Sequence, residues 1–162
     1  MPTKYYWDAC VILEFLNQSP DRAPDVNGLL DAADKGEIQI FTSTLSIAEV
    51  AFAAEDRSAG VLSKETEDKI DKLWAMGSPI QLVEFHRGIA EQARDISRLA
   101  MARSIGGLKS VDKMHLATAV RIEADEVHTY EVEPNRIKWA TVSGLTVCEP
   151  ESPKPQLALG AS

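Results

Sequence analysis

The sequence predicts an α/β protein, a three-layer α/β/α sandwich around a mainly parallel sheet of five strands. Short apolar segments typical of strands alternate along the chain with longer segments whose apolar residues recur at the helical period. This alternation indicates a parallel sheet, because two parallel strands need a crossover connection that is usually a helix. Glycine and proline separate the segments, as in Gly77-Ser-Pro79 and Gly106-Gly107.

The predicted elements follow the chain in a regular order. Strands are predicted at residues 4–7, 38–41, 80–85, 126–130 and 145–148. Helices are predicted at about residues 11–16, 25–35, 45–57, 63–76, 86–103, 108–123 and 135–140. Ser43 or Thr44 is expected to cap the third of these helices. Catalytic and binding sites of such sheets form beyond the carboxyl ends of the strands.

The length of 162 residues suits one compact domain, which we expect to cover residues 1–148. Residues 149–162 form a tail that begins Glu-Pro-Glu-Ser-Pro-Lys-Pro-Gln. Three prolines in eight residues favour neither a helix nor a strand ladder. The tail is therefore expected to be disordered.

Composition narrows the class of protein. The formal net charge is −8 and the pI about 4.9, which argues against a general nucleic-acid binder. It does not exclude an enzyme that approaches RNA through bound divalent cations. The two cysteines, Cys10 and Cys148, make no metal or disulfide pattern. Without an apolar run of about 18 residues or a secretory leader, a cytoplasmic location is expected.

Two acidic residues lie in mostly apolar surroundings. Asp8 stands between the first strand and an apolar helix, where it fits either a helix cap or a functional carboxylate. Glu49 is the only charge in residues 45–54, a segment expected to form a helix buried on every side. A buried carboxylate needs a partner. An ion pair with Arg or Lys is one alternative for Glu49, and a metal ligand or catalytic acid is the other.

Further acidic residues follow in the second half of the chain. Asp112 lies in the first turn of a predicted helix. A carboxylate there interacts well with the helix N-terminus, and a functional carboxylate is the alternative. His115 falls on the apolar stripe of that helix, which favours a hydrogen-bonded core histidine over a general base. Glu131 follows the fourth predicted strand, whereas Glu133, two residues further on, is interpreted as an exposed loop carboxylate.

Four segments together resemble the PIN-domain ribonuclease family over about residues 4–148. The segments are Tyr5-Tyr-Trp-Asp8-Ala-Cys-Val-Ile-Leu13, Thr42-Ser-Thr-Leu-Ser-Ile-Ala-Glu49, Lys109-Ser-Val-Asp112-Lys-Met-His115-Leu-Ala-Thr-Ala119 and Ala124-Asp-Glu-Val-His-Thr129-Tyr-Glu131. Two positions depart from the family pattern. Cys10 stands where Ser or Asn is frequent, and Glu131 stands where Asp is usual.

The resemblance implies a metal-dependent ribonuclease that leaves 5′-phosphate and 3′-hydroxyl ends. Mg²⁺ or Mn²⁺ would be held by Asp8, Glu49 and Asp112, with Glu131 completing a second metal position or orienting water. Thr129 would hydrogen-bond the attacking water, so these five residues form the expected catalytic set. The substrate would be single-stranded or loop RNA. VapC-like toxins belong to this family, so an antitoxin protein and a second copy of the chain are candidate partners.

Two other functions compete with this interpretation. A catalytically weak PIN fold that binds RNA or protein would account for Cys10 and Glu131. A phosphoacceptor signalling domain also carries acidic residues at strand ends, but it needs them clustered near the first strand. Asp8 has no acidic neighbour before Glu14, so the signalling alternative is disfavoured.

Overall fold

A computed structural model describes residues 1–153 of the chain. Five strands form one sheet: Thr3–Trp7 (β1), Ile38–Ser43 (β2), Ile80–Val83 (β3), Glu126–His128 (β4) and Thr146–Cys148 (β5). Seven helices connect and follow them: Ala9–Asn17 (α1), Ala23–Asp34 (α2), Leu45–Arg57 (α3), Lys64–Trp74 (α4), Arg87–Ala102 (α5), Ser110–Arg121 (α6) and Glu133–Ser143 (α7).

The sheet is parallel throughout, with the strand order β3-β2-β1-β4-β5. The chain builds outward from β1 to β3 on one side and then returns to add β4 and β5 on the other. The strand order therefore reverses between β1 and β4, where Tyr6 pairs with Val127. In open parallel sheets the crevice beyond the carboxyl ends of the strands at such a switch point is the usual ligand site.

Each face of the sheet carries its own apolar core, which gives the three layers. Adjacent residues of β1 point to opposite faces, so fully buried Trp7 joins one core and fully buried Tyr6 the other. The Trp7 core packs residues of α1 to α4 against the sheet, and the Tyr6 core packs residues of α5 to α7. The predicted α/β/α sandwich with five parallel strands is thus confirmed.

Several predicted boundaries move by a few residues. Of the two residues predicted to cap α3, Ser43 accepts the backbone N–H of Leu45 at 3.2 Å through its hydroxyl. Thr44 is the N-cap residue of α3, but its side chain makes no capping bond there and instead accepts the backbone N–H of Phe85 at 3.2 Å. Strand β3 ends at Val83 and β4 at His128, both before the predicted ends. Helix α7 is longer than predicted, because Pro134 fits the first turn of a helix.

The last described residues run against α2 without regular secondary structure. The backbone N–H of Ser152 donates to Asp25 Oδ1 at 2.8 Å, and its hydroxyl donates to the carbonyl of Pro24 at 3.2 Å. Gly28 leaves room for this contact, since a Cβ there would come within 2.6 Å of Ser152 Oγ. The expectation of disorder for residues 154–162 lies outside the described residues. Over residues 1–153, no helix combines the length and apolar character of a membrane span.

Candidate active site

Asp8 lies at the switch point, directly after β1 and next to Thr129, which directly follows β4. It is 5% exposed. Its Oδ1 accepts the backbone N–H groups of Cys10 and Val11 at 3.1 and 3.3 Å, so Asp8 caps α1 as a sequence prediction allowed. Two further groups also donate to it: the Cys10 thiol at 2.7 Å and the Thr129 hydroxyl at 2.6 Å. The Asp8 carboxylate thus gathers more donors than a helix cap needs.

The electrostatics at Asp8 are those of a carboxylate held out of water. Burial raises its pKa, and the hydrogen bonds from Cys10 and Thr129 oppose that shift in part. Burial and the neighbouring Asp8 charge also raise the pKa of Cys10, which keeps its thiol protonated as a donor. The four groups that donate to Asp8 are all neutral, so its negative charge is solvated but not neutralised by them.

Asp112 and Glu131 add two more carboxylates to this edge of the sheet. Asp112 is the third residue of α6 and accepts the backbone N–H of Lys109 at 3.3 Å. Burial raises the pKa of Asp112 against that hydrogen bond, and the charges of Glu131 and Asp8 raise it further. Asp112 is therefore close enough to Glu131 and Asp8 to be repelled by their charges.

The loop after β4 holds Glu131 in place. Glu131 lies three residues beyond the end of β4, and its backbone N–H donates to Thr129 Oγ1 at 3.2 Å. Asn135 Nδ2 donates to the Glu131 carboxylate at 2.8 Å. The Thr129 hydroxyl thus links Asp8 to the Glu131 loop. Glu133 is exposed as predicted, but it begins α7 instead of lying in a loop.

Glu49 is held by a chain of hydrogen bonds that crosses four elements, α3, α6, β1 and β2. Its carboxylate contacts His115 Nε2, and His115 Nδ1 lies 2.6 Å from the Tyr6 hydroxyl. An ionised carboxylate only accepts, so Nε2 donates to Glu49 and Nδ1 of the neutral ring accepts from Tyr6. The Tyr6 oxygen in turn accepts the backbone N–H of Ser43 at 3.2 Å. Every member has a partner, which fixes the position of the Glu49 carboxylate.

The exposure of α3 corrects one sequence prediction, and the burial of His115 confirms another. Helix α3 is not buried on every side, since Ile47 is 38% and Phe52 64% exposed. The surroundings of Glu49 are apolar in sequence, but its side chain is 31% exposed. Its partner is His115 rather than Arg or Lys. His115 itself is 2% exposed and hydrogen-bonded, the predicted core histidine.

The donor chemistry of this edge fits a hard cation. Asp8, Asp112 and Glu131 offer carboxylate oxygens and Thr129 a hydroxyl, which are groups that Mg²⁺ and Mn²⁺ prefer. Over residues 1–153, none of these three carboxylates forms an ion pair with Lys, Arg or His within 4.0 Å. A divalent cation would supply the missing positive charge.

A second cluster, on β4 and β5, has the spacing of a metal site but a different explanation. In the described part of the chain, only Glu126, His128 and Cys148 bring their ligand atoms within 4.8 Å of one another. The Trp7 indole N–H, which can only donate, lies 3.1 Å from His128 Nδ1. The ring proton of neutral His128 is therefore on Nε2, where it donates to Glu126 at 3.0 Å. Ligation through Nε2 would require that proton to leave, so we assign this cluster to the core.

Sequence reasoning missed several residues that position the predicted ones. Tyr6 supports His115 from 109 residues away, and only its polar tip in a buried strand signals that it needs a partner. Asn135 and Lys109 hold Glu131 and Asp112 through local contacts. Cys10, noted as a departure from the family pattern, donates to Asp8 through its thiol.

The raised pKa of Asp8 predicts a gain in stability when its charge is removed. A carboxylate whose pKa in the folded protein exceeds its unfolded value of about 4 destabilises the fold when it is ionised. This penalty is complete above the folded pKa and absent below the unfolded pKa. Asp8→Asn keeps an oxygen for the helix cap, because Asn caps as well as Asp. At pH 7 with EDTA we expect Asp8→Asn to melt a few degrees higher than the parent, at about 2–4 °C per kcal/mol. The difference should shrink as the pH falls towards 4.

Melting curves of both proteins between pH 4 and 7.5 check this, with Asp71→Asn on the exposed face of α4 as control. A variant that melts clearly below the parent at pH 7 would show that the carboxylate charge of Asp8 stabilises the metal-free fold.

The structure is a parallel α/β sheet with acidic side chains at its switch point. The family model described as "PIN domain" matches residues 5–139, most of the chain. The chain belongs to the PIN domain family, whose members are nucleases. Comparison by sequence with curated proteins gives no significant match.

Solved structures share the fold at low sequence identity. VapBC2 from Rickettsia felis, bound to a DNA fragment from its promoter, is 16% identical with a TM-score of 0.66, covering 92% of this chain and 100% of its own. FitAcB from Neisseria gonorrhoeae is 17% identical with a TM-score of 0.64, covering 90% and 97%. The sarcin–ricin-loop-cleaving toxin VapC20 from Mycobacterium tuberculosis is 11% identical with a TM-score of 0.57, covering 80% and 91%.

Proposed function

We propose that the protein is an Mg²⁺- or Mn²⁺-dependent endoribonuclease that hydrolyses RNA phosphodiester bonds. The observation that carries the proposal is the un-neutralised group of carboxylates at the switch point. Asp8 is buried with neutral donors alone, and the Asp112 pKa is raised by burial and then by the charges of Glu131 and Asp8. Holding like charges together destabilises the fold, so such a group of carboxylates is expected where a function requires it.

Each residue of the candidate site would have a defined role. Asp8, Glu49 and Asp112 would hold the cation, directly or through water, and Glu131 would complete a second position. When bound, the cation supplies an activated water and neutralises charge on the phosphate. Thr129 would hydrogen-bond the attacking water, as the resemblance implies. In this structure its hydroxyl is buried, donates to Asp8 and accepts the Glu131 backbone N–H. The products would carry 5′-phosphate and 3′-hydroxyl ends.

A single-stranded or looped RNA suits this site better than a duplex. The net charge of −8 gives the protein little general attraction for nucleic acid. A flexible strand can place one phosphate at the acidic edge while the rest of its backbone stays away from it. The RNA sequence that is cut would then depend on residues around the carboxylates rather than on a broad basic surface.

A toxin role with an antitoxin partner, or a homodimer, has support in the surface of α3. Ile47 and Phe52 expose apolar side chains on this helix, which also carries Glu49. Exposed apolar surface marks interaction sites in soluble proteins. A partner bound there would cover the helix that supplies a ligand of the cation, and so control activity.

The alternative is a catalytically weak PIN fold that binds RNA or protein. Its support is Glu131 in place of the usual Asp, since one added methylene shifts the carboxylate relative to the backbone. The Cys10 departure supports it less, because the Cys10 thiol donates to Asp8 as a serine hydroxyl could.

An RNA cleavage assay separates these functions. Purified protein is incubated with a mixed single-stranded RNA pool in Mg²⁺, in Mn²⁺ and in EDTA, and the fragment ends are mapped. We expect cleavage with either cation, none in EDTA, and 5′-phosphate ends. Binding of the pool without metal-dependent cleavage would favour the binding module instead.

A further inference from the structure

A small cleft lies beside the candidate active site, between α1, the C-terminal end of α3 and the loop after β4. Its volume is about 280 Å³. Its walls include Cys10, Glu14, Arg22, Arg57, Tyr130 and Glu131, and we call it the arginine cleft. Two arginines in one cleft are notable in a chain of net charge −8.

The arginine cleft is continuous with the acidic edge of the sheet. The Cys10 thiol lines the cleft and donates to the buried Asp8 carboxylate at 2.7 Å. Glu131 lines it as well and is a residue of the candidate active site. A strand whose phosphate reaches the carboxylates would therefore place a neighbouring nucleotide in or near this cleft.

Arg22 presents a fixed flat surface in the cleft. Its guanidinium lies 4.1 Å from the centroid of the Tyr130 ring, and its Nη1 contacts Glu14 Oε1 at 3.2 Å. These two contacts orient the guanidinium plane, while 43% of the side chain stays exposed. A guanidinium that lies over an aromatic ring on one side can stack a nucleic-acid base on its other side.

Arg57 supplies a positive charge without a fixed partner. It is the last residue of α3 and is exposed. No carboxylate of residues 1–153 lies within 4.0 Å of its guanidinium. A free guanidinium matches the geometry of a phosphate, with which it forms paired hydrogen bonds.

We propose that the arginine cleft binds a nucleotide adjacent to the cleaved phosphodiester bond in single-stranded RNA. The base stacks on the exposed face of Arg22, and Arg57 pairs with its phosphate. This inference rests on the proposed ribonuclease function and adds the residues that bind and select the substrate. Arg22 and Arg57 are binding residues, so their loss should raise KM and leave kcat nearly unchanged.

Steady-state cleavage of a short single-stranded RNA at several salt concentrations tests the proposal. Each phosphate contact contributes about 0.7 to the slope of log affinity against log salt for single strands. Arg57→Gln should therefore raise KM, lower the salt slope by about 0.7 and change kcat less than twofold, whereas Arg57→Lys should restore the slope. Arg98→Gln is the control, because the Arg98 side chain on α5 is exposed, and it should match the parent.

Arg22→Lys tests the stacking separately, because lysine keeps the charge beside Glu14 but lacks the plane. We expect KM to rise at least about fivefold with an unchanged salt slope, the size of a lost stacking contact. Unchanged KM and salt slope in Arg57→Gln, or unchanged KM in Arg22→Lys, would overturn the corresponding contact.

If the parent cuts no RNA, the proposed function fails, and fluorescence anisotropy with the same RNA then tests the cleft. Weaker binding by both variants, but not by Arg98→Gln, would support an RNA-binding cleft, and equal binding by all would refute it.

Discussion

Asp112→Asn should lower RNA cleavage by at least about a hundredfold while the fold survives, the largest effect we expect from a single substitution. Asn retains an oxygen that can accept the Lys109 backbone N–H at the start of α6, so the capping contact remains. What it loses is the negative charge that would hold the cation. Cleavage rates with Mn²⁺ and melting curves of the same samples check both halves of the prediction.

Two further variants compare the contributions of the other carboxylates to cleavage. Glu49→Gln should be as inactive as Asp112→Asn, whereas Glu131→Gln should be milder if Glu131 serves only a second metal position. Asp71→Asn, on the exposed face of α4, is the control for loss of a carboxylate and should cleave at the parent rate. Parent-like cleavage by folded Asp112→Asn would refute the assignment of this residue.

Tyr6→Phe should have the largest effect expected from a residue that is not among the predicted ligands. Removing the hydroxyl leaves the Ser43 N–H and His115 Nδ1 without their partner in the core. A buried polar group without a partner costs about 1–3 kcal/mol, so we expect the melting temperature to fall by about 2–10 °C. Because His115 holds Glu49, Mn²⁺ affinity should also fall about tenfold, as for other residues that orient metal ligands.

Tyr5→Phe is the matched control for that experiment. It removes the same atom from the neighbouring residue of β1, and the Tyr5 hydroxyl forms no hydrogen bond with the described residues. Calorimetric titration with Mn²⁺ should give the parent affinity for Tyr5→Phe. A Tyr6→Phe protein that is destabilised but binds Mn²⁺ like the parent would make Tyr6 a purely structural residue.

The predicted fold depended on local patterns, which is why it could be derived without a structure. The apolar periods set the order of strands and helices, and parallel strands bring their carboxyl ends to one edge. Asp8 and Thr129 therefore meet beyond β1 and β4, although 121 residues separate them. The residues of the site were predicted as a set, but their roles as ligands stay predictions.

Other features depended on contacts between distant segments that no local pattern contains. The pairing of His115 with both Tyr6 and Glu49 requires the packing of α6 against β1 and α3. The exposure of Phe52 was missed because an apolar sequence does not distinguish a buried helix from a helix with an exposed apolar face. Arg22 and Arg57, in separate polar segments, become neighbours of one cleft only in the fold.

Thermal melting with Mn²⁺ tests most directly whether the carboxylates at the switch point bind a divalent cation. A ligand at a hundred times its Kd stabilises the folded state by about 2.7 kcal/mol, which for this size is about 5–10 °C. We expect that rise for the parent relative to EDTA and a much smaller one for Asp112→Asn at the same Mn²⁺ concentration. An equal rise in both proteins, or none in the parent, would contradict the account.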